Sequence, residues 1–296
     1  MPMIDRAVRL TPAFAMAAMI LFAELGCTPE PADENGRTDA SVNAPAASAQ
    51  IQRAEPEEVR AVVAETLAYA EVDARLVKGH FVFPQDMVEP LPAVILIHEW
   101  WGLDDSMRGL ADRLASEGFI VLAVDLYNGK TAARAPDARK LMLEVVENPQ
   151  FAEQNIKKAF TWVHETTGAT EVAVVGYGYG GGWSLHAAMA IPDQLDAAVI
   201  FYGQVSSNEE ALRSIEVPVL GFFGETDTAV PAEAVVEFEK TLHALRKDYD
   251  IEVFPGARGG FASPGNRNFD ADLEAEAWTK MTTFLRENLV PEEEDS

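Results

Sequence analysis

A glycine-rich turn between an apolar run and a helical pattern is the feature of this sequence most indicative of chemistry. Residues 172–175 (Val-Ala-Val-Val) are uniformly apolar, residues 176–180 read Gly-Tyr-Gly-Tyr-Gly, and a helical pattern begins at Trp183. A strand, a sharp Gly-x-x-x-Gly turn and a helix form a nucleophile elbow, whose middle residue is a Ser or Cys that attacks an acyl carbon. The middle residue here is Gly178, which has no side chain to react.

Alternating strand and helix patterns surround this turn. We predict a first helix over 56–68, followed by two edge strands over 72–76 and 80–83 with a turn at Lys78-Gly79. Further strands are predicted over 93–98, 119–124, 172–175, 197–202, 217–223 and 249–254, and further helices over 107–116, 132–146, 151–164, 232–245 and 273–289. This order predicts an α/β fold with a mostly parallel central sheet of about eight strands and helices on both faces.

Four motifs lie where predicted strands end. They are residues 97–103 (IHEWWGL), 176–180 (GYGYG), 224–231 (GETDTAVP) and 254–261 (FPGARGGF). Their order and spacing resemble the dienelactone hydrolase family of α/β-hydrolases, and the resemblance extends from about residue 65 to 289. Members of that family hydrolyse lactones and related esters with a Cys–His–Asp triad and a nearby glutamate.

The resemblance implies a role for each of several residues. Glu99 matches the glutamate that controls the thiol, and Asp227 matches the acid of the triad. The backbone N–H groups of Trp100 and Tyr179 match the two donors that stabilise the oxyanion.

The other two triad positions differ from the family pattern. Gly178 stands at the position of the cysteine, and Gly259 stands at the position of the histidine. The five histidines are at positions 80, 98, 164, 186 and 243, so none follows the last predicted strand. Acyl transfer needs both a nucleophile and a base that activates it. We therefore expect a catalytically degenerate protein that keeps a small-molecule pocket.

Two alternatives to that expectation stay open. The protein can be an active ester or lactone hydrolase of the carboxymethylenebutenolidase type that uses an unrecognised nucleophile or a water activated by a carboxylate. It can also be an engineered inactive variant, because a deliberate double replacement gives the same sequence. Ser184, the next hydroxyl after the elbow, lies six residues beyond Gly178 inside a helix, and we expect it to pack or cap rather than attack.

Aromatic and basic residues near the motifs are further pocket candidates. Trp100 and Trp101 are either walls of the pocket or ordinary core residues. Arg258 is either an anion-binding group or an exposed loop arginine. An ester- or lactone-like small molecule is the expected ligand, and we expect no cofactor, no metal and a monomer.

Charge and cysteine content limit the partners. The 296 residues contain 48 acidic and 23 basic side chains, for a formal net charge of −25. Nucleic acid binding requires clustered Lys and Arg, so this balance argues against it. Cys27 is the only cysteine, which excludes an intramolecular disulfide and a cysteine-ligated zinc site.

The N-terminal region has the pattern of an export signal. Residues 1–27 combine Arg6 and Arg9 with an apolar stretch over 13–23 and end at Cys27, which resembles a bacterial lipoprotein signal. Residues 28–54 are predicted to be a disordered linker, residues 55–290 the folded domain and residues 291–296 an acidic tail. We expect a periplasmic or cell-envelope protein that contacts the membrane only through a lipid anchor on Cys27, the alternative being simple secretion.

Replacing Cys27 with serine tests the lipid anchor. We expect the wild-type protein to fractionate with membranes and Cys27→Ser to be released, because a serine cannot carry the thioether-linked lipid. Intact-mass spectrometry of the mature N-terminus gives the direct measurement. An unmodified Cys27 in the wild-type protein would contradict anchoring and favour simple secretion.

Overall fold

A single eight-stranded sheet organises the chain. The computed structural model describes residues 60–290. The strand order across the sheet is β1-β2-β4-β3-β5-β6-β7-β8. In chain order the strands are β1 (Val62–Val72), β2 (Arg75–Pro84), β3 (Ala93–Ile97), β4 (Ile120–Val124), β5 (Val172–Tyr177), β6 (Ala197–Phe201), β7 (Val219–Gly224) and β8 (Tyr249–Phe254). Strands β3 to β8 pair in parallel, whereas β1–β2 and β2–β4 are antiparallel.

Helices cover both faces of the sheet. They are α1 (Asp105–Ser116), α2 (Ala135–Glu147), α3 (Pro149–Thr167), α4 (Tyr179–Ala190), α5 (Glu209–Leu212), α6 (Ala232–Ala244) and α7 (Ala271–Leu289). One apolar layer packs the sheet against α1 and α7, and the other packs it against α3, α4 and α6. The predicted α/β architecture, with about eight mostly parallel strands between helices, is confirmed.

The register of the central strands assembles the candidate site. Every residue of β3, β5 and β6 is buried, as expected for parallel strands covered on both faces. Ile97 pairs with Gly176 and Tyr177 pairs with Phe201. The residues that follow these strands therefore meet at one edge of the sheet, where ligands bind in open α/β folds.

The predicted helix over 56–68 is wrong for the residues that the structure describes. Val62–Val72 is instead a strand paired along its length with β2. The apolar residues at helical spacing were misleading because most side chains between Val62 and Ala68 are exposed, and pairing with β2 decides the conformation of the segment.

The predicted turn at Lys78-Gly79 is also wrong. Both residues lie inside β2, and the chain reverses at Asp73 and Ala74, whose φ angles are +51° and +58°. Val72 pairs with Arg75, so this is a two-residue hairpin loop. Gly79 marks a close approach instead, because a Cβ there would lie 2.8 Å from the carbonyl oxygen of Ala123.

The sharp turn is shorter than predicted, because most of the glycine-rich segment belongs to a strand or a helix. Strand β5 continues through Tyr177, the chain turns at Gly178 alone, and α4 starts at Tyr179 rather than at Trp183. A Cβ on Gly180 would overlap the carbonyl oxygen of Ile97. Small residues at the start of α4 therefore let this helix rest directly on β3.

Several sequence predictions lie outside the described residues. They are the signal over 1–27, the linker over 28–54, the first residues of the 55–290 domain and the tail over 291–296. Within residues 60–290, no helix has the length and apolar character needed to cross a membrane.

The hairpin turn gives a stability prediction. Replacing Ala74 with glycine should raise the free energy of unfolding by about 1 kcal/mol, because glycine adopts positive φ without the Cβ penalty. Ala64→Gly, at an exposed position within β1, is the matched control and should lower that free energy by roughly 0.5–1 kcal/mol. Urea denaturation measures both, and equal destabilisation by the two substitutions would contradict the assigned turn.

Candidate active site

Gly178 keeps the backbone geometry of an elbow. Its φ and ψ angles are +54° and −111°, between the last residue of β5 and the first residue of α4. Its N–H donates to the carbonyl oxygen of Phe201 at 2.8 Å, and its own carbonyl oxygen accepts from Gly181 at 3.0 Å. Residues other than glycine are strained at such angles by about 1–3 kcal/mol. The elbow is therefore formed, and its apex has no reactive group.

The space beside Gly178 admits a side chain. A Cβ at position 178 would lie 3.5 Å from Glu99 Oε1 and 3.7 Å from Tyr202 Cε2, which are ordinary van der Waals distances. A larger residue would thus meet backbone strain but no clash of its Cβ. The same distances show that the Glu99 carboxyl group reaches the point from which an elbow nucleophile would project.

Glu99 is a buried acid that forms no ion pair with a basic residue between 60 and 290. It follows β3 and is 7% exposed. Burial raises its pKa to about 7, the Asp104 carboxylate adds to this rise, and the hydroxyl groups of Ser263 and Tyr202 oppose it. No basic side chain contributes to this balance. Glu99 is therefore divided between its protonated and ionised forms at neutral pH.

Sequence reasoning missed Tyr202 and Ser263. Tyr202 follows β6, next to the elbow strand, and has an unusual φ of +39°. Its buried hydroxyl group has no hydrogen-bond partner within residues 60–290. The position of Tyr202 at the end of a parallel strand was a usable signal. Ser263 lies in the loop before α7, where no local pattern points to the site.

His98 holds the backbone of Glu99. Its Nδ1–H donates to the carbonyl oxygen of Glu99 at 2.6 Å, and its Nε2 accepts from the N–H of Leu126 at 3.0 Å. These bonds fix one neutral tautomer, and complete burial lowers the pKa of the imidazole. The His98 ring packs against the rings of Tyr127 and Tyr179. Because both ring nitrogens are engaged by backbone groups, His98 holds the backbone in place.

Two backbone N–H groups remain available at the elbow. Those of Trp100 and Tyr179 donate no hydrogen bond to any residue between 60 and 290. Tyr179 begins α4, whose first N–H groups have no partner inside the helix and carry its positive dipole end. These are the donors that an oxyanion hole requires.

Asp227 and Gly259 are in direct contact. Asp227 is 9% exposed, and its Oδ1 accepts from the N–H of Ala229 at 2.7 Å, whereas Oδ2 has no partner among the described residues. Burial raises the pKa of Asp227, and hydrogen bonds from the N–H groups of Ala229 and Val230 oppose the rise. A Cβ on Gly259 would overlap Oδ2. A histidine at position 259 therefore requires the Asp227 side chain to rotate.

The remaining candidates have different surroundings. Trp100 and Trp101 are half-buried with ring centroids 4.7 Å apart, and Trp100 packs against the core layer of α3 and α4. Arg258 is exposed. Ser184 is buried inside α4 and donates to the carbonyl oxygen of Val199 at 2.8 Å, so its hydroxyl group is used structurally. Within residues 60–290 no three acidic, histidine or cysteine side chains form a metal-binding group.

Comparison with known proteins identifies the family. Residues 77–289 match the family described as "Dienelactone hydrolase family". The chain belongs to this family. "Protein usf" of Aquifex pyrophilus is 33% identical over 206 residues, which cover 67% of this chain and 89% of that protein. "Putative carboxymethylenebutenolidase" of Aquifex aeolicus (strain VF5) is 30% identical over 202 residues, covering 66% and 87%.

Solved structures agree with the fold. A "Dienelactone Hydrolase-like Promiscuous Phospotriesterase P91" from metagenomic libraries has a TM-score of 0.70 at 24% identity, covering 77% of this chain and 99% of its own. The eight-stranded, mostly parallel sheet covered by helices is thus the fold of these structures as well. A likeness at 24% identity supports the fold alone.

The raised pKa of Glu99 predicts how stability depends on pH. The folded-state pKa of about 7 lies above the ordinary value of 4.5, so ionisation penalises the fold. The contribution of protonated Glu99 to the free energy of unfolding is fully present below the ordinary pKa. It falls as pH rises between the two pKa values and is constant above the folded-state pKa. The loss is about 3 kcal/mol at most.

Glu99→Gln removes this dependence because glutamine does not ionise. Its stability relative to the wild type should increase across that pH window and then level off. Urea denaturation at several pH values gives the measurement. Glu287→Gln, at an exposed position on α7, is the control and should leave the shape of the wild-type curve unchanged. A constant difference between Glu99→Gln and the wild type would contradict the prediction.

Proposed function

We propose that this protein is a catalytically degenerate member of the dienelactone hydrolase family, which binds a small molecule in the family's pocket without nucleophilic turnover. One observation carries the proposal. The elbow is fully formed around Gly178, while Gly259 brings the Asp227 carboxylate into the space that a histidine side chain would need. A nucleophile and its base are therefore both lacking at their family positions.

The missing groups account for most of the expected catalysis. Attack on an acyl carbon needs an activated lone pair within hydrogen-bonding range of its base. With the triad removed, a protease retains only about 10³–10⁴-fold catalysis over water, supplied by the oxyanion hole and substrate binding. The same limit applies to a site built from the N–H groups of Trp100 and Tyr179 and from the carboxyl groups of Glu99 and Asp227.

The proposed ligand is a small ester- or lactone-like molecule. Support comes from the family and from the Aquifex aeolicus relative, which is named "Putative carboxymethylenebutenolidase". The pocket offers two N–H donors, two protonatable acids and the half-buried ring of Trp100. Uncharged carbonyl compounds suit such a site, since no basic side chain between residues 60 and 290 influences the pKa of either acid.

Residual hydrolysis by a carboxylate-activated water is the second candidate. The pKa of Glu99, at about 7, is well placed for a general base at neutral pH. This candidate differs from the first in one measurable respect, which is ester turnover by the wild-type protein that is lost in Glu99→Gln.

The cellular location belongs to the same proposal. The pattern of residues 1–27 and the single cysteine at its end support export to the cell envelope with anchoring through Cys27. A monomeric domain would then be tethered to the membrane by the polar segment over 28–54.

Rebuilding the triad tests the proposed function. The purified protein is assayed on p-nitrophenyl acetate and dihydrocoumarin beside Gly178→Cys and the Gly178→Cys/Gly259→His double variant. We expect slow wild-type turnover and a gain of about 10²-fold or more in the double variant, because thiolate and imidazole together supply the missing attack. Gly178→Cys alone is the control and should gain little.

Two results would count against the proposal. Wild-type turnover equal to that of an intact family member, measured side by side, would show that the glycines do not abolish catalysis. A folded double variant without any gain would show that the pocket itself no longer accepts these substrates. Thermal melting shows whether each variant is folded. This control is needed because a cysteine at position 178 is strained at the angles found there, and a histidine at position 259 would collide with Asp227.

A further inference from the structure

Glu99 faces the reacting position of the elbow with nothing in between. Its Oε1 lies 3.5 Å from the place that a Cβ on residue 178 would occupy, and it belongs to a side chain that is 93% buried. The hydroxyl groups of Ser263 and Tyr202 approach this carboxyl group and favour its ionised form. In an elbow with a thiol the acid would face that thiol, whereas here it faces whatever the pocket holds.

The acid lies beside two free N–H donors. Trp100 is the next residue after Glu99, and Tyr179 is the next residue after Gly178. A carbonyl oxygen held by these two N–H groups therefore places the neighbouring carbon atoms close to the Glu99 carboxylate. A carboxylate base next to preorganised oxyanion donors is the arrangement that removes a proton from the carbon α to a carbonyl group.

We propose that the site catalyses enolisation of a small ketone or similar carbonyl compound, with Glu99 as the base and the N–H groups of Trp100 and Tyr179 as the oxyanion donors. The activity rests on the proposed function in one respect: it uses the retained pocket. The activity needs no hydrolytic step, because the reaction takes a proton from the α-carbon and leaves the carbonyl carbon without a bond to any nucleophile.

The step balances without an oxidant or a metal. The Glu99 carboxylate takes a proton from the α-carbon, and the electrons of the C–H bond form the C=C bond of the enolate. The carbonyl π electrons move to the oxygen, where the two N–H groups stabilise the negative charge. In D₂O the resulting carboxylic acid exchanges its proton for a deuteron and returns it to the α-carbon, which regenerates the ketone with one hydrogen replaced.

The surroundings keep Glu99 suited to this task. The Nδ1–H of His98 donates to the Glu99 carbonyl oxygen at 2.6 Å and fixes the backbone of the base. Burial brings the pKa of the carboxyl group to about 7. A base of that pKa is stronger than an ordinary carboxylate and is still largely ionised just above neutral pH.

Deuterium exchange into cyclopentanone tests the proposal. The full-length protein is incubated with this ketone in D₂O, and loss of the α-proton signal is followed by proton NMR. Cyclopentanone has no acyl bond to hydrolyse, so a failure here is separate from a failure of the proposed function. We expect exchange about 10²-fold or more above that in buffer, with a rate that rises with pH and levels off above the Glu99 pKa.

Variants assign the exchange to Glu99. Glu99→Gln should reduce the rate to that of buffer, whereas Glu99→Asp, which withdraws the carboxylate by one methylene, should retain part of the rate with the same form of pH profile. Glu287→Gln, at an exposed position on α7, removes a distant carboxylate and should exchange at the wild-type rate. Melting curves show that each variant is folded.

Each outcome decides the proposal. Wild-type exchange at the buffer rate would overturn it. Equal exchange by the wild type and a folded Glu99→Gln variant would overturn the assignment of Glu99 and the proposal with it. Exchange that is lost in Glu99→Gln and partly kept in Glu99→Asp would support both.

Discussion

The close packing of helix α4 on the sheet is the constraint on which the rest of the site depends. The helix rests on β3 because Gly180 has no Cβ to collide with the carbonyl oxygen of Ile97. That contact leaves one residue, Gly178, to reverse the chain between β5 and α4. The sharp reversal leaves the N–H of Tyr179 without an acceptor among residues 60–290, and it brings the apex of the elbow close to Glu99. Glycine suits the apex of this elbow because it adopts the required angles without strain.

Two buried carboxyl groups, which form no ion pair with a basic residue between 60 and 290, set the electrostatics of the candidate site. In a complete triad an imidazole would stand between Asp227 and the elbow, and a thiol would stand beside Glu99. Here Asp227 is stabilised by backbone N–H groups and contacts Gly259, while the hydroxyl groups of Ser263 and Tyr202 lower the pKa of Glu99 and the Asp104 carboxylate raises it. Burial raises the pKa of both groups, and it raises that of Glu99 to about 7, so Glu99 exchanges a proton near neutral pH. These features are consistent with the uncharged ligand and the proton transfer that we propose.

The sequence was most informative where burial was most complete. The strands β3, β5 and β6 are covered on both faces, so their uniform apolar runs predicted them directly. It was least informative at the exposed hairpin of β1 and β2. There, apolar residues of β1 fell at helical spacing, and Gly79 resembled a turn although it marks contact with β4. Local patterns do not distinguish a glycine that bends the chain from one that makes room for a neighbour.

The sequence by itself determined the fold class and predicted which positions carry the candidate site. Gly178, Gly259, Glu99 and Asp227 were assigned from their order and spacing, because motifs at strand ends are fixed along the chain. Only the tertiary structure decided how these residues act on one another. The contact of Asp227 with Gly259, the raised pKa of Glu99 and the proximity of Tyr202 and Ser263 all arise between segments distant in sequence. Burial and through-space distance set these properties, and neither is encoded in local spacing.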